Sequence, residues 1–335
     1  MTAPLQFVAH PGAGRGAFAR AWPAMGAALA AAGLDNEVLL TTRAFEAADL
    51  ARRAAQDGAR LVVAVGGDGT LHEVVNGLLT ADLPADAVPA LGLVPAGRGS
   101  DYARGLHLPR DAATIVARFA AYLGGDASAA HPVDAGEATF RPTPLVAGRP
   151  TPPSPLPAEP TAPNAAPALR YFINGAGIGF SPFVAQRTAR FPARLGPYLY
   201  TAAGLLTIID WRERGVQLRW ADGSSEERAV ESVELALGQY EGGGMRVAPE
   251  ADPTDGLFDC VVIDAVSRRE MTTFAWRVRS GDHLSSPRVS VRRTPGLVVT
   301  VTDGGGPLYL QADGELLGRD PFAFRVLPSA LRFVW

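Results

Sequence analysis

The sequence predicts a parallel α/β domain followed by an antiparallel β domain, and three observations predict it. From Leu5 to Leu123, apolar runs alternate with amphipathic helical patterns, the signature of strand–helix crossovers. Three of those runs end in turns rich in glycine: HPGAGRG from His10, GGDGT from Gly66 and PAGRGSD from Pro95. Beyond about residue 130 the pattern changes to short runs broken by turn residues, the mark of a β-sandwich.

In order, the first strand is Leu5–Ala9, followed by a helix over Ala17–Ala32 and a short strand over Glu37–Thr41. A helix over Ala44–Asp57 leads to the uninterrupted apolar run Leu61–Val65, too apolar for a half-exposed strand and therefore buried on both faces. Then come a helix over Leu71–Leu79, a strand over Ala90–Val94 and a helix over Arg110–Leu123. Helical crossovers between strands make the sheet parallel, and ligands of such sheets bind beyond the carboxyl ends of the strands. The second part reads as strands over Tyr171–Asn174, Val216–Trp220, Val233–Gly238, Leu257–Ile263, Val289–Arg293, Val298–Thr302 and Leu308–Gln311. Two helices, near 182–190 and 197–211, interrupt them. The final patterns, Phe322–Val326 and Leu331–Val334, are expected to return to the first domain. We therefore divide the chain into residues 1–130, completed by 318–335, and residues 131–317. An insertion at 141–168 is too rich in Pro and Ala to pack.

Composition narrows the function. The 335 residues carry a net charge of −3, which argues against nucleic acid as a partner. All basic residues are Arg, so a P-loop with its Lys is excluded. Cys260, the single cysteine, can form no internal disulfide, which fits a reducing cytoplasm, and its apolar strand marks it as an inert core thiol. No signal peptide is visible at MTAPLQFVAH, and the apolar stretch Pro197–Trp211 is shorter than the ~20 residues that span a bilayer. The expectation is a cytoplasmic protein, at most peripheral at the inner face of the membrane.

The GGDGT segment carries the most chemistry. Gly66, Gly67 and Gly69 let backbone N–H groups approach a phosphate at a helix start, and Thr70 adds a hydroxyl. Asp68 inside such an anion site points to a magnesium–nucleotide rather than bare phosphate. A ligand-free turn is the plainer alternative. Downstream, Asp252 and Asp255 flank a glycine turn and could face one hard cation, or form an ordinary Asp-rich turn. Asp313-Gly314-Glu315 is either a hairpin turn or a catalytic carboxylate pair.

Taken in series, HPGAGRG, GGDGTLHEVVNGLL, VPAGRGSDYARGL, GGGMRVAPEADPTDGLFD and ADGELLG resemble the diacylglycerol kinase catalytic-domain superfamily, in particular its bacterial soluble lipid kinases, related to sphingosine and ceramide kinases. The resemblance implies a Rossmann-like, NAD kinase/phosphofructokinase-like N-terminal domain and a C-terminal β-sandwich that takes the lipid. It implies ATP bound by Pro11, Gly14, Gly16, Gly66, Gly67, Asp68, Gly69, Thr70, Gly97 and Gly99. It further implies Asp313 as general base, with Glu315 and Asp101 as catalytic partners, and a Mg²⁺ ion held by Asp252, Asp255 and the carbonyl of Leu257. Three positions depart from the family pattern: His10 stands for Asn, Arg98 for Thr and Ser100 for Asn. Glu73 either faces the nucleotide or favours a helix N-terminus electrostatically. The stretch Tyr198–Ile209 lines the acceptor groove, lies on a bilayer or packs in the core, the last being the plainest reading.

The expected activity is ATP- and Mg²⁺-dependent phosphorylation of a lipid hydroxyl at a membrane surface, diacylglycerol being the first candidate. An NAD kinase-like enzyme and a catalytically lapsed lipid- or nucleotide-binding protein are the alternatives. A homodimer stays open.

Overall fold

The computed structural model describes residues 3–12, 16–43, 45–96, 100–142, 166–188 and 199–335. The chain divides into two units: Met1–Asp134 with Pro328–Trp335, and Ala135–Leu327. The divisions fall a few residues beyond 130 and ten beyond 317. The Pro-rich stretch 143–165 lies outside the described residues.

Unit 1 contains, in order, β1 (Leu5–Ala9), α1 (Ala17–Ala31), β2 (Asn36–Leu40), α2 (Glu46–Gln56), β3 (Leu61–Gly66), α3 (Asp68–Leu79), β4 (Ala90–Pro95), α4 (Asp101–Gly105) and α5 (Ala112–Leu123). The strands pair in parallel in the order β2-β1-β3-β4, and Phe333 near the C-terminus pairs in parallel with Leu91 of β4. Every residue of β1 and β3 is buried, as a sheet covered on both faces requires. Leu5, Phe7, Leu61, Val63 and Val65 form one core with Met25 and Leu29 of α1 and with Ile115, Val116 and Phe119 of α5. Their pleat neighbours Val8, Val62 and Ala64 point the other way and are buried too. Helices α2 and α3 pack so closely that a Cβ on Gly77 would overlap the carbonyl of Ala48. Asp111 caps α5 by accepting the N–H of Thr114 at 2.8 Å.

The strand β5 (Ala130–Pro142) runs on into unit 2. That unit adds β6 (Ala168–Phe172), β7 (Gly175–Gly179), α6 (Phe180–Thr188), α7 (Leu199–Asp210), β8 (Arg214–Trp220), β9 (Ser225–Ala236), β10 (Phe258–Asp264), α8 (Arg268–Ser280), β11 (Val289–Thr294), β12 (Gly296–Val301), β13 (Tyr309–Ala312) and β14 (Glu315–Val334). All strand pairs within the unit that have a described register are antiparallel. Two long strands turn the corners. The first half of β9 pairs with β8 and its second half with β7 and β10. In the same way β14 pairs first with β13 and then with β12. With β8 also paired to β12 and β13 to β7, pairing runs round a closed circuit. The core fills it: Ile178, Val216, Leu218, Val233, Leu235, Phe258, Cys260, Leu297, Leu310, Phe322 and Phe324 belong to one buried cluster. Cys260 is fully buried there, and burial pushes its thiol far above the ordinary range, so it is inert.

Several elements differ from the sequence reading, which assigned neither the strand β5 nor the short helix α4. The patterns at Phe322–Val326 and Leu331–Val334 belong to one strand, β14. Helix α8 falls in a stretch assigned no element; Ser267 and Glu270 form a complete capping box at its start. The segment Gly-Ala-Gly-Ile-Gly, which looks like a loop, is the buried strand β7.

Candidate active site

In unit 1 the carboxyl ends of β1, β3 and β4 lie side by side, because the parallel register sets Ala9 against Val65 and Gly66 against Pro95. The glycine-rich turns therefore start from one edge of the sheet. At the first, His10 is exposed and its Nδ1 accepts the N–H of Gly12 at 2.9 Å. This is the turn an Asn side chain makes by hydrogen-bonding two residues on, so His10 performs the local job of the amide it replaces. Pro11 is exposed in the same turn, Gly16 starts α1 with φ 79°, and Gly14 lies outside the described residues.

At the second turn, Gly67 is the N-cap of α3, and no side chain caps the helix. The start of α3 carries the positive end of the helix dipole, the kind of place where anions bind. A Cβ on Gly66 would fall 2.7 Å from Cβ of Thr70 and overlap its hydroxyl, so only glycine lets Thr70 close over the strand end. Residues Gly67 to Thr70, including Gly69, are half-buried, open enough for a ligand. The second and third turns are tied together. Ala96 donates its N–H to the Gly66 carbonyl at 2.8 Å, and Tyr102 donates its N–H to Asp68 Oδ1 at 3.3 Å. Asp68 thus has a structural partner within the turn.

Asp101 is the first residue of α4, is buried, and has the Arg104 guanidinium 4.0 Å away; the N-cap is Ser100, held at φ 48°. Gly97, Arg98 and Gly99 lie outside the described residues. Glu73 accepts the N–H of Ala47 at 3.0 Å, so it serves the first turn of α2.

In unit 2, Asp313 and Gly314 connect β13 to β14 as a two-residue hairpin turn with φ 49° and 85°. Positive φ at both positions defines the type that favours Asp-Gly. The Asp313 carboxylate accepts three consecutive backbone N–H groups: Ile173 on Oδ2 at 3.1 Å, Asn174 on Oδ1 at 3.0 Å and Gly175 on Oδ1 at 3.1 Å. The hairpin turn and the oriented carboxylate are the same residue, so the two sequence readings of this motif coexist. Glu315 opens β14 opposite Ala312 and is partly exposed.

Residues not singled out in the sequence hold this turn. Gln311 is buried; its Oε1 accepts the Gly314 N–H at 2.9 Å and its amide nitrogen donates to Glu241. Asn174 donates its side-chain amide to the Tyr240 carbonyl at 2.7 Å, anchoring the loop that carries Glu241. Beside them Glu234 is buried against the hydroxyls of Ser181 and Ser232. Burial, and then the nearby Glu241 carboxylate, push its carboxyl well above the usual range.

The turn expected to hold a cation is arranged differently. Asp252 Oδ1 accepts the N–H of Thr254 at 3.0 Å and its hydroxyl at 2.7 Å, while Asp255 Oδ1 accepts the N–H of Leu257 at 3.0 Å. The other Asp255 oxygen is ion-paired with Arg293, whose Nε lies 3.7 Å from Asp259. A guanidinium thus sits where a divalent ion would be needed. Among the described residues no group of three or more His, Cys, Asp or Glu is arranged to hold a metal. As they stand, the carboxylates of Asp252 and Asp255 are taken up by backbone, hydroxyl and guanidinium partners.

Comparison with known proteins bears on the family rather than on these contacts. Residues 4–133 match the diacylglycerol kinase catalytic domain, and residues 175–335 match the YegS C-terminal NAD kinase beta sandwich-like domain. The chain is 26% identical over 294 residues to a diacylglycerol kinase of Bacillus subtilis, covering 88% of this chain and 83% of that one. It is 28% identical over 305 residues to a Xanthomonas oryzae protein named "Probable lipid kinase YegS-like", covering 90% and 86%. A diacylglycerol kinase from Bacillus anthracis str. Sterne shares the fold, with a TM-score of 0.68 at 19% identity over 99% of this chain and 96% of that one. Among the described residues no helix is long and apolar enough to cross a membrane. The chain thus carries a diacylglycerol kinase catalytic domain, followed in sequence by a YegS C-terminal NAD kinase beta sandwich-like domain, and is a kinase.

Proposed function

We propose that this kinase transfers the γ-phosphoryl group of ATP, as its magnesium complex, to the hydroxyl of a lipid, with diacylglycerol the first candidate and phosphatidic acid the product. Unit 1 acts as the Rossmann-like nucleotide-binding domain. Pro11, Gly14, Gly16, Gly66, Gly67, Gly69, Thr70, Gly97 and Gly99 shape the phosphate site, and the N-terminal end of α3 faces the triphosphate. Asp68 faces the nucleotide-bound cation, and Asp101 supports the same end. Magnesium bound as part of the nucleotide would screen its charge, and the turn at Asp252, Asp255 and Leu257 lies outside this role.

The reading rests above all on the Asp313 carboxylate, held in one orientation by three backbone donors. A carboxylate fixed in this way accepts the alcohol proton and aims the oxygen at phosphorus. As the new O–P bond forms, the bond to the ADP oxygen breaks and the alcohol proton passes to Asp313, with Glu315 beside it. Little proton transfer is needed early in a loose phosphoryl-transfer transition state, so orientation is the larger part of the task. Support comes from the diacylglycerol kinase and lipid kinase names of the relatives.

Incubating the protein with labelled ATP, Mg²⁺ and an extracted lipid mixture, then identifying the labelled lipid, tests this. Label in phosphatidic acid is the expected result. Label in NAD⁺ supplied as competitor, or in no lipid, would overturn the lipid assignment.

A further inference from the structure

Large apolar side chains that stay exposed are few in this protein: Leu40, Leu205, Leu206, Ile209, Trp276 and Val291 among the described residues. Four of the six lie on α7 and α8, two helices of unit 2 that pack against each other. Helix α7 turns Ala203, Thr207 and Ile208 inward, while Leu205, Leu206 and Ile209 make an outward stripe at helical spacing. Its one carboxylate, Asp210, is ion-paired with Arg187.

Helix α8 is built on the same plan with a different outer face. Met271 and Phe274 are buried, and Trp276 is 67% exposed on the opposite side. One helical turn or two from Trp276 stand Arg269 and Arg279, both exposed, and Arg268 is exposed beside them. The helix carries four arginines and a single carboxylate, and that carboxylate, Glu270, is used in the capping box. In a chain of net charge −3 this is a local excess of positive charge around an exposed indole.

An apolar stripe alone does not identify its occupant; the charge beside it does. Arginine forks bind phosphate oxygens, tryptophan settles at the level of lipid headgroups, and aliphatic side chains enter the acyl boundary. We infer that the α7–α8 pair docks this kinase on an anionic phospholipid bilayer, with Leu205, Leu206, Ile209 and Trp276 inserted and Arg268, Arg269 and Arg279 on the headgroups. The inference rests on the lipid-kinase reading for its biological sense, since a lipid alcohol embedded in a bilayer is reached only from the membrane surface. Its physical content is separate from that reading.

Full-length protein is sedimented with vesicles of phosphatidylcholine alone or of phosphatidylcholine with phosphatidylglycerol. Binding to the anionic vesicles alone, weakened by salt, is expected. The variant Arg268→Gln/Arg269→Gln/Arg279→Gln should lower the partition coefficient roughly a hundredfold, at the usual worth of an arginine near an anionic surface. Leu205→Ser/Leu206→Ser/Ile209→Ser should lower binding without restoring it to charge alone, and lipid should shift Trp276 fluorescence to the blue. Unchanged binding by the arginine variant would overturn the inference. So would a lipid-independent dimer that buries Trp276, which would make a second copy the occupant. With substrate dispersed in detergent the arginine variant should keep wild-type turnover, and a parallel loss there would place these residues in the reaction and overturn docking. Vesicle binding by a wild-type protein that labels no lipid would sink the proposed function and leave docking standing.

Discussion

Asp313→Asn separates orientation from charge at the proposed acceptor site, and the structure sets its size. Asn tolerates the left-handed φ of 49° at this position, so the backbone of the turn is preserved. Its oxygen can take the place of Oδ1 and keep the bonds from Asn174 and Gly175 at 3.0 and 3.1 Å. Its NH₂ group then faces the Ile173 N–H, now 3.1 Å from an acceptor, so donor meets donor in a part-buried place. Flipping the amide exchanges one conflict for two. Losing one charge-assisted bond and leaving a donor unmet costs about 2–4 kcal/mol. For a unit of this size that lowers Tm by roughly 5–15 °C. Turnover at 25 °C, well below the transition, should fall by about 10²–10⁴-fold because the proton acceptor is gone. The KM for ATP should hold, since the nucleotide turns belong to unit 1. Calorimetry and steady-state kinetics on one preparation test both parts. A variant that melts with the wild type and turns over comparably would refute the role of the carboxylate and its hydrogen-bonded setting together.

Gly66→Ala places a methyl 2.7 Å from Thr70 Cβ, so it should raise the KM for ATP at least tenfold; Thr70→Ala in the same background should recover part of the loss, and no change in KM would remove the turn from the nucleotide site. Gln311→Glu sets a carboxylate against Glu241 and should lower both Tm and kcat, whereas the exchange Gln311→Glu/Glu241→Gln restores the hydrogen bond; additive losses in the double variant would deny the coupling. Glu234→Gln reports on the buried carboxyl. Because burial raises its pKa, its stabilisation is whole below the ordinary value of 4.5 and is lost as pH rises toward the folded value, so the variant should match wild type at about pH 4 and out-melt it at about pH 8. Arg293→Ala breaks an ion pair whose members are 51% and 24% exposed, worth at most ~1 kcal/mol, and Mg²⁺ should leave the wild-type Tm unchanged; a rise of several degrees with Mg²⁺ would return the turn at Asp255 to the role of a cation site.

The α/β half was legible because its signals are local and strong. The strand Leu5–Ala9 has the bounds its apolar run gives, and the buried run at Leu61 continues one residue to Gly66. Helix α8 was not legible from periodicity. Its inward positions are Met271 and Phe274 alone, too narrow a stripe to stand out among Thr and Arg. The signal that could have found it is the Ser267–Glu270 box, which depends on two polar residues rather than on any apolar pattern. Strand β7 fails for the opposite reason: glycine at every second position reads as a turn. Those glycines leave room for other side chains. A Cβ on Gly177 would overlap the Glu234 carboxyl and the Ser181 hydroxyl, so the strand is glycine-rich because its neighbours are large and polar.

The same physics explains why the acceptor side was only half legible. Asp-Gly announces a hairpin, and the resemblance supplies a base, but the groups that orient the carboxylate are the N–H groups of Ile173, Asn174 and Gly175, and a backbone donor leaves no mark on the sequence. Glu234 is hidden in another way. Alternation along Val233–Leu237 assigns it to solvent, as for any half-exposed strand; it is buried because its own face of the sheet is covered as well. A polar residue on a strand signals exposure only where one face is wet. Here the glycines of β7 admit Glu234, Ser181 and Ser232 into a polar layer above the sheet, and Glu241 joins that layer to Gln311 and the Asp313 turn. Burial and the neighbouring Glu241 carboxylate both bias Glu234 toward its neutral form, and a neutral carboxyl can donate as well as accept among hydroxyls. The orientation of Asp313 therefore depends on a chain of polar contacts whose members are separated by more than a hundred residues, and its links at Glu234, Glu241, Gln311 and Asp313 are tested by the substitutions above.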